Sequence, residues 1–286
     1  MRRHEAARRQ FGAEVVGGIC QAANSRPESD LGGDPLVTRV APLPVNISDR
    51  TRILVRPTAA QVDNHAVSPD AAALAVESAL PIRRFYSWKG KRNYEGRWWS
   101  STTRTHIAFE SLLERDALMM ADFDTEVVAI AAQPFALLWP RDTNGAKHHV
   151  PDFFVRLASG DGRVVDVKRA AAVKHAATQF ELTRKACDEI CWLYQVFTEP
   201  DPIVTANLRW LAGYRHDRFV PDVKIYDRIT QAFTTPMPLA LGVREAASSL
   251  NIPESPVLAH TYHLMWKQDL HTDLCTPLRM DRKVWR

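Results

Sequence analysis

A tight polar turn between two β-rich runs constrains the fold of this chain more than any other feature of its sequence. The runs are residues 148–157 and 163–168, and the turn between them reads Ser159-Gly160-Asp161-Gly162. Asp-Gly between two such runs is a strong hairpin signal, because both residues tolerate the backbone angles that a tight turn requires. The sequence therefore predicts an antiparallel β-hairpin here.

This hairpin brings charged side chains together. With the turn centred near residues 160 and 161, Asp152 is predicted to lie opposite Arg169 and diagonal to Lys168. Asp166 and Lys168 are two residues apart, so they share one face of their strand. One small site is therefore predicted to hold two carboxylates and an ammonium group.

A compact α/β unit is predicted around the hairpin, because helical and β-rich runs alternate on both sides of it. The predicted elements are a helix at 107–120, a strand at 126–139 with a bend at Pro134, the two hairpin strands, a helix at 170–190 and a strand at 191–197. Residues 81–200 are accordingly interpreted as one α/β domain.

The flanking regions have a different character. Residues 1–80 lack sustained periodicity and are interpreted as a largely flexible extension, with one short strand at 52–55 and an Ala-rich helix at 70–78. Residues 201–286 are predicted to form a mostly helical, winged-helix-like domain. Its predicted elements are helices at 205–214, 223–233 and 257–267 and a β-wing at 270–285.

The composition excludes several classes of protein. The 286 residues are 45% hydrophobic and 24% charged, as in ordinary globular proteins. No stretch approaches the ~18 consecutive apolar residues of a transmembrane helix, so no membrane partner is expected. Four cysteines are too few for a disulfide scaffold and are expected to be reduced. A cytoplasmic location is the expectation that follows.

Charge is unevenly distributed along the chain. Residues 81–106 carry seven Lys and Arg against a single acidic residue, whereas residues 107–200 carry ten basic and fourteen acidic residues. Aromatic residues alternate with the cations of 81–106, a composition suited to phosphate contacts and to stacking on bases. The candidate DNA-contacting residues are Lys89, Lys91, Arg92, Arg97 and Trp98. A hairpin with a buried aromatic face and solvated cations explains this segment equally well.

The acidic block supplies candidate metal ligands. Glu114 on the predicted helix joins Asp152 and Asp166 of the hairpin, and hard carboxylate oxygens are the ligands that Mg²⁺ and Mn²⁺ prefer. Lys168 beside them is suited to stabilise charge on a phosphate or to orient a water. The competing interpretation is a solvated hairpin edge without chemistry. The order of the four features, which resembles that of restriction-endonuclease-like nucleases, favours the metal site.

Over residues 81–200 the chain resembles, more narrowly, the TnsA family, the endonuclease subunits of bacterial heteromeric transposases. The resemblance rests on five runs: FESLLERD at 109–116, FDTEV at 123–127, AQPF at 132–135, HVPDF at 149–153 and VDVK at 165–168. It implies a Mg²⁺-dependent nuclease that cuts the 5′ ends of the transposon, on the strand that the transposase leaves uncut. Implied partners are double-stranded DNA of the transposon ends, an integrase-type transposase subunit and an ATPase regulator, with residues 201–286 docking the transposase or the regulator.

The family's catalytic residues map onto specific positions of this chain. Its Glu corresponds to Glu114, nineteen residues before Gln133, its Asp to Asp152 and its Lys to Lys168. Where the family archetype has Gln two residues before that Lys, this chain has Asp166, which we count as a third candidate metal ligand.

Several alternatives stay open at the level of sequence. Glu110 lies four residues before Glu114 and is interpreted as a neighbour on the same helix face, paired with Arg115 or a lysine of the basic segment. His148 and His149 are further candidate ligands, although exposed histidines on a strand are commoner. A stand-alone restriction-like or junction-cleaving nuclease, or an inactive DNA-binding scaffold, are the rival functions.

Overall fold

The structure, a computed structural model, describes residues 42–83, 94–143 and 147–286. Strands and helices alternate along it, which confirms the α/β class. The strands are β1 (Arg52–Thr58), β2 (Gln61–Ala66), β3 (Gly96–Trp99), β4 (His106–Phe109), β5 (Val127–Ala132), β6 (Phe135–Leu138), β7 (His148–His149), β8 (Phe153–Leu157), β9 (Gly162–Val167), β10 (Leu193–Phe197), β11 (Met237–Pro238), β12 (His271–Thr272) and β13 (Lys283–Trp285). The α-helices are α1 (Leu112–Phe123), α2 (Ala170–Val173), α3 (Ala177–Ile190), α4 (Pro202–Ala212), α5 (Val223–Ala232), α6 (Leu239–Leu250) and α7 (Glu254–Trp266).

The predicted hairpin is confirmed as β8 and β9, but its register differs from the prediction. Phe153 pairs with Val165, so Asp152 is level with Asp166 and not with Arg169. The two carboxylates are thus direct cross-strand neighbours. Asp152 is therefore directly opposite Asp166, whereas the sequence analysis placed it diagonal to Lys168.

The turn explains the change of register. The backbone N–H of Leu157 donates to the carbonyl of Asp161 at 2.9 Å, and Gly160 adopts a φ of 91°. A residue with a side chain rarely adopts that angle, so Gly160 fixes the place where the chain reverses. The loop closes over residues 158–161, earlier along the chain than predicted, and every cross-strand pair shifts with it.

β8 and β9 are the central strands of a four-stranded sheet with the order β10-β9-β8-β5. β10 pairs with β9 in parallel, and the other pairs are antiparallel. Because side chains alternate along a strand, Val155 and Val165 pack in the same apolar cluster as Leu118 of α1. Phe154 and Val164 face the opposite way, into a cluster that includes α3 and β1.

The predicted single strand at 126–139 is two strands in different sheets. β5 pairs with β8, whereas β6 pairs with β1 in a sheet of order β2-β1-β6-β7. Gln133, between them, has a φ of 48°, which together with Pro134 ends one strand and redirects the chain into the next sheet. The predicted bend is therefore a crossing between sheets.

The predicted helix at 107–120 begins later and ends later. Its first residues form β4, where Ile107 pairs with Trp98 of β3. The helix α1 starts at Leu112, because Ser111 occupies the N-cap position and its hydroxyl accepts a hydrogen bond from the backbone N–H of Glu114. The predicted helix at 170–190 is likewise α2 and α3 separated by a short 3₁₀ turn.

Residues 52–78 belong to the folded core, in contrast to the largely flexible extension predicted for 1–80. β1 is an internal strand of its sheet, and Ile53 is fully buried. The predicted helix at 70–78 is instead two 3₁₀ helices, Pro69–Ala73 and Val76–Ser78. Between them the carbonyl of Leu74 accepts a hydrogen bond from Arg156, which holds this segment against β8.

The C-terminal part contains α4 to α7 and a small sheet of order β11-β13-β12. The three predicted helices and a late pair of strands are present, but the sequence did not predict α6 or the strand β11 that precedes it. The winged-helix assignment stays a prediction. Leu208 and Val257 share one apolar cluster with Leu118, and residues 42–286 form one compact unit. Within the described ranges, none of the helices has the length and apolar character that a membrane span requires.

Candidate active site

Asp152 lies at the centre of the predicted site, one residue before β8. Its Oδ2 accepts a hydrogen bond from the backbone N–H of Val167 at 2.7 Å, and its carbonyl accepts one from the N–H of Gln133 at 2.9 Å. The residue therefore joins the end of β9 to the crossing between β5 and β6. Pro151 before it and β8 after it keep the carboxylate in place at this junction.

Electrostatics single out Asp152. Burial is the largest cause that raises the pKa of its carboxyl to about 8, and the nearby carboxylates of Asp166 and Glu114 raise it further. The N–H of Val167 and the guanidinium of Arg83 act in the opposite direction and do not compensate. A strongly perturbed acid among other carboxylates is typical of a functional site.

Glu114 occupies the first turn of α1 and takes part in its N-terminal cap. Its Oε1 accepts from the hydroxyl of Ser111 at 2.9 Å and its Oε2 from the backbone N–H of Glu110 at 2.7 Å. This is close to a capping box, in which a Ser and a Glu three residues later satisfy the free N–H groups of a helix start. Burial raises the pKa of Glu114 despite these bonds.

Glu110 does not share a helix face with Glu114, because α1 begins two residues after it. Its Oε2 accepts from Arg83 at 2.7 Å and lies 3.4 Å from Nε2 of Gln133. Arg83 also donates to Oε1 of Gln133 at 2.9 Å. The predicted partner, Arg115, instead contacts Asp116.

Asp166 is almost fully buried, with 2% of its surface exposed. Its two oxygens lie 2.8 and 2.9 Å from Nε2 of His149, and its Oδ2 accepts from the hydroxyl of Tyr194 at 2.6 Å. The Nδ1 of His149 hydrogen-bonds in turn to the side-chain amide of Gln179 on α3. His149 is thus half-buried, with 11% of its side chain exposed, and is not a solvent-facing strand residue.

Lys168 follows β9 and is exposed to solvent. Its backbone N–H donates to the carbonyl of Phe197 at 2.9 Å, which extends the pairing of β9 with β10 by one residue. Among the described residues its ammonium group has no hydrogen bond or ion pair. The side chain is therefore available to a phosphate.

The hydrogen bonding leaves acceptor capacity for a divalent cation on two of the three predicted ligands. Within the described ranges, no group of three or more His, Cys, Asp and Glu side chains is arranged so that it could hold a metal ion. Asp152 accepts one hydrogen bond, and each oxygen of Glu114 accepts one, so both carboxylates keep lone pairs for a cation. Mg²⁺ is usually held by one or two carboxylates, with waters and substrate phosphates completing its shell. Asp166 does not fit, since its oxygens face His149 and Tyr194.

Comparison with known proteins adds no family to this geometry: no family model matches the chain, and no curated protein matches it. The function must therefore be argued from the site itself.

The predicted DNA-contacting residues fall into three groups. Lys89, Lys91 and Arg92 lie outside the described residues. Arg97 is exposed on β3. Trp98 is 8% exposed, donates its indole N–H to Asp122 at 3.0 Å and carries the guanidinium of Arg215 over its ring at 4.1 Å. The placement of Trp98 in the core does not support base stacking.

Sequence reasoning missed two residues of this region. Tyr194 and Gln179 come from β10 and α3 and approach the hairpin only through the tertiary fold. His149 was named as a candidate metal ligand, whereas the structure places its Nε2 against the carboxylate of Asp166.

A pH dependence of stability follows from Asp152. Its pKa is about 8 in the folded chain against an ordinary value of 3.8, so the unfolded chain releases this proton at lower pH than the folded chain. Stability from this group is therefore fully retained below pH 4 and falls as the pH rises to 8, by up to about 1.4 kcal/mol per pH unit. We expect Asp152→Asn to remove this fall and to be the more stable protein at pH 8.

Urea unfolding in EDTA at pH 5 and pH 8 measures this difference, which we expect to be on the order of 2 kcal/mol or more. Asp227→Asn, on an exposed face of α5, is the matched control and should follow the wild-type curve. Parallel losses of stability in wild type and Asp152→Asn would show that the Asp152 carboxyl is not perturbed.

Proposed function

We propose that this chain is a Mg²⁺-dependent DNA endonuclease subunit of a heteromeric transposase, cutting the 5′ strand at transposon ends. The observation that carries the proposal is Asp152, a carboxyl with a pKa raised to about 8 beside Asp166 and Glu114. At neutral pH such a group holds a proton that a divalent cation would replace. The order helix α1, strand β5, hairpin, helix α3 and strand β10 supports a restriction-endonuclease-like core.

Each residue has a specific task in this proposal. Asp152 and Glu114 hold the cation, with Mn²⁺ as a substitute for Mg²⁺. When bound, the cation lowers the pKa of a water and offsets the charge that develops on the phosphate. Lys168, whose ammonium group is exposed, binds the scissile phosphate and stabilises the same charge.

The surrounding segments bind the other components. The cations of 81–106, of which Arg97 is exposed on β3, contact the phosphates of the DNA backbone. Residues 201–286 dock the transposase subunit or the ATPase regulator, because their eleven basic and nine acidic residues are too evenly balanced for a strong DNA-binding surface.

One observation favours a second candidate, an inactive DNA-binding scaffold. Both carboxylate oxygens of Glu114 already accept hydrogen bonds that cap α1. A glutamate kept only as a helix cap would need no cation. The remaining lone pairs of Glu114 and the perturbed Asp152 argue for the nuclease.

A strand-resolved cleavage assay tests the proposal. The full chain, purified with its transposase subunit, is incubated with linear DNA that carries both transposon ends, in Mg²⁺ or in EDTA. We expect nicks at the 5′ ends in Mg²⁺ alone. Cutting of DNA that lacks these ends would favour the stand-alone nuclease, and binding without cutting in either Mg²⁺ or Mn²⁺ would favour the scaffold.

A further inference from the structure

Asp166 is the one buried member of a half-buried polar network that the proposed function leaves unexplained. Its carboxylate is contacted by His149 and Tyr194, and Gln179 contacts the other side of the imidazole. The imidazole also stacks on the indole of Trp139, with ring centroids 6.3 Å apart and 12° between the planes. We call these four polar residues the Asp166 network.

The donors of the network can be assigned from chemistry. An ionised carboxylate only accepts hydrogen bonds, so the hydroxyl of Tyr194 and the Nε2 of His149 must donate to Asp166. The amide N–H of Gln179 then donates to Nδ1. Each buried polar group therefore has a partner, as interiors require.

The carboxylate of Asp166 has little capacity left for a cation. Three short contacts reach its two oxygens, and the residue is 2% exposed. A Mg²⁺ ion needs carboxylate oxygens at ~2.1 Å and space for several waters. Binding at Asp166 would therefore break buried hydrogen bonds to His149 and Tyr194 and leave these donors without partners.

The network joins four elements beside the proposed site. Asp166 lies on β9, His149 on β7, Tyr194 on β10 and Gln179 on α3. Asp152 is the cross-strand neighbour of Asp166, and Lys168 follows two residues later on the same strand end. Fixing Asp166 therefore fixes both residues that the proposed function requires at this edge of the sheet.

We propose that Asp166 is a positioning residue and not a metal ligand: through His149 and Tyr194 it holds the hairpin so that Asp152 and Lys168 face the DNA. The proposal rests on the nuclease function proposed above. In this proposal only one of the two aspartates of the hairpin, Asp152, is a metal ligand. Asp166, the first residue of the Asp-X-Lys run, has a structural role.

The change in stability of the metal-free protein on replacing Asp with Asn has opposite signs for a metal ligand and for a positioning residue. A metal ligand in an empty acidic cluster repels its neighbours, so replacing it with the isosteric amide stabilises the metal-free protein. A positioning residue loses charge-assisted hydrogen bonds on the same replacement, so the protein becomes less stable. In EDTA at pH 8 we expect Asp166→Asn to lower the thermal midpoint by several degrees and Asp152→Asn to raise it.

Tyr194→Phe keeps the charge of Asp166 and removes one donor. Alone it should lower the midpoint, and in the double variant with Asp166→Asn it should lower it by less than it does alone, because the amide has only one acceptor oxygen left for His149 and Tyr194. The exposed Asp227→Asn is again the control. A midpoint of Asp166→Asn at or above that of wild type would overturn the proposal.

Binding of Mn²⁺ alone, followed by electron paramagnetic resonance on folded protein, is the second measurement. Asp152→Asn should weaken binding at least ~100-fold, whereas Asp166→Asn and Tyr194→Phe should stay within about tenfold of wild type. In the cleavage assay Tyr194→Phe should lower kcat with the half-saturating Mn²⁺ concentration unchanged. Equal loss of Mn²⁺ binding in Asp166→Asn and Asp152→Asn would also overturn the proposal.

The two proposals fail in different ways. A wild-type chain that neither binds Mn²⁺ nor cuts DNA would contradict the nuclease function, and with it the statement that Asp166 positions catalytic groups. A wild-type chain that binds and cuts, with Asp166→Asn behaving as Asp152→Asn in both measurements, would contradict only the assignment of Asp166.

Discussion

Cleavage of the 5′ strand should fall by roughly 10²–10³-fold or more in Asp152→Asn, with DNA binding retained. The amide is isosteric with the carboxylate and can still accept the hydrogen bond from the N–H of Val167. The contact between the end of β9 and the connection from β5 to β6 is therefore kept. What it lacks is the negative charge that holds the cation. Lost cleavage with unchanged binding in a gel-shift assay is therefore the specific signature of this residue.

Lys168→Ala should have a similar effect on cleavage, about 10²-fold, for a different reason. Its ammonium group is exposed and without partners in the described part of the chain, so its removal costs no interaction within the protein. Arg169→Ala provides a matched control, since Arg169 is the next residue, has the same charge and is also exposed. Single-turnover rates with the transposase present measure both variants. If Arg169→Ala reduced cleavage as much as Lys168→Ala, Lys168 would contribute only positive charge for DNA binding and not a specific contact with the scissile phosphate.

The local part of this site was predictable from the sequence. The hairpin, its Asp-Gly turn and the Asp-X-Lys run are all within 20 residues, and hydrogen bonding within that segment decides their structure. The register was not predictable to the residue. It depends on where Gly160 takes its positive φ, and the prediction centred the turn later along the chain, near residues 160 and 161.

The longer-range part depended on pairing that no local pattern records. β2 reads QVDNHA and is largely exposed, so it carries no apolar alternation that would mark it as the partner of β1. β5 and β6 read as one apolar run because both are buried strands, although they belong to different sheets. The Asp166 network likewise unites residues from β7, β9, β10 and α3, and only the tertiary fold brings them together.

Glu114 and Glu110, which the sequence analysis placed on one helix face, should differ in their effect on cleavage. Only Glu114 lies in α1, and its carboxylate acts on that of Asp152, whereas Glu110 pairs with Arg83 and Gln133. Glu114→Gln should therefore reduce cleavage by about 10²-fold or more. Glu110→Gln should keep activity within about tenfold of wild type, since an ion pair with a half-exposed arginine contributes at most about 1 kcal/mol.

The helix cap makes the Glu114 variant a clean test. Gln also occurs in capping boxes: Glu114→Gln keeps one oxygen to accept from the N–H of Glu110, and its amide N–H can donate to the hydroxyl oxygen of Ser111 in place of accepting from it. In EDTA this variant should therefore unfold at a urea concentration no lower than that of wild type. A loss of activity without a loss of stability then reports the cation and not the cap. Nicking titrated with Mg²⁺ and Mn²⁺ should be restored by excess metal in Glu110→Gln alone. The opposite ranking would assign the ligand to Glu110 and leave Glu114 as the residue that starts α1.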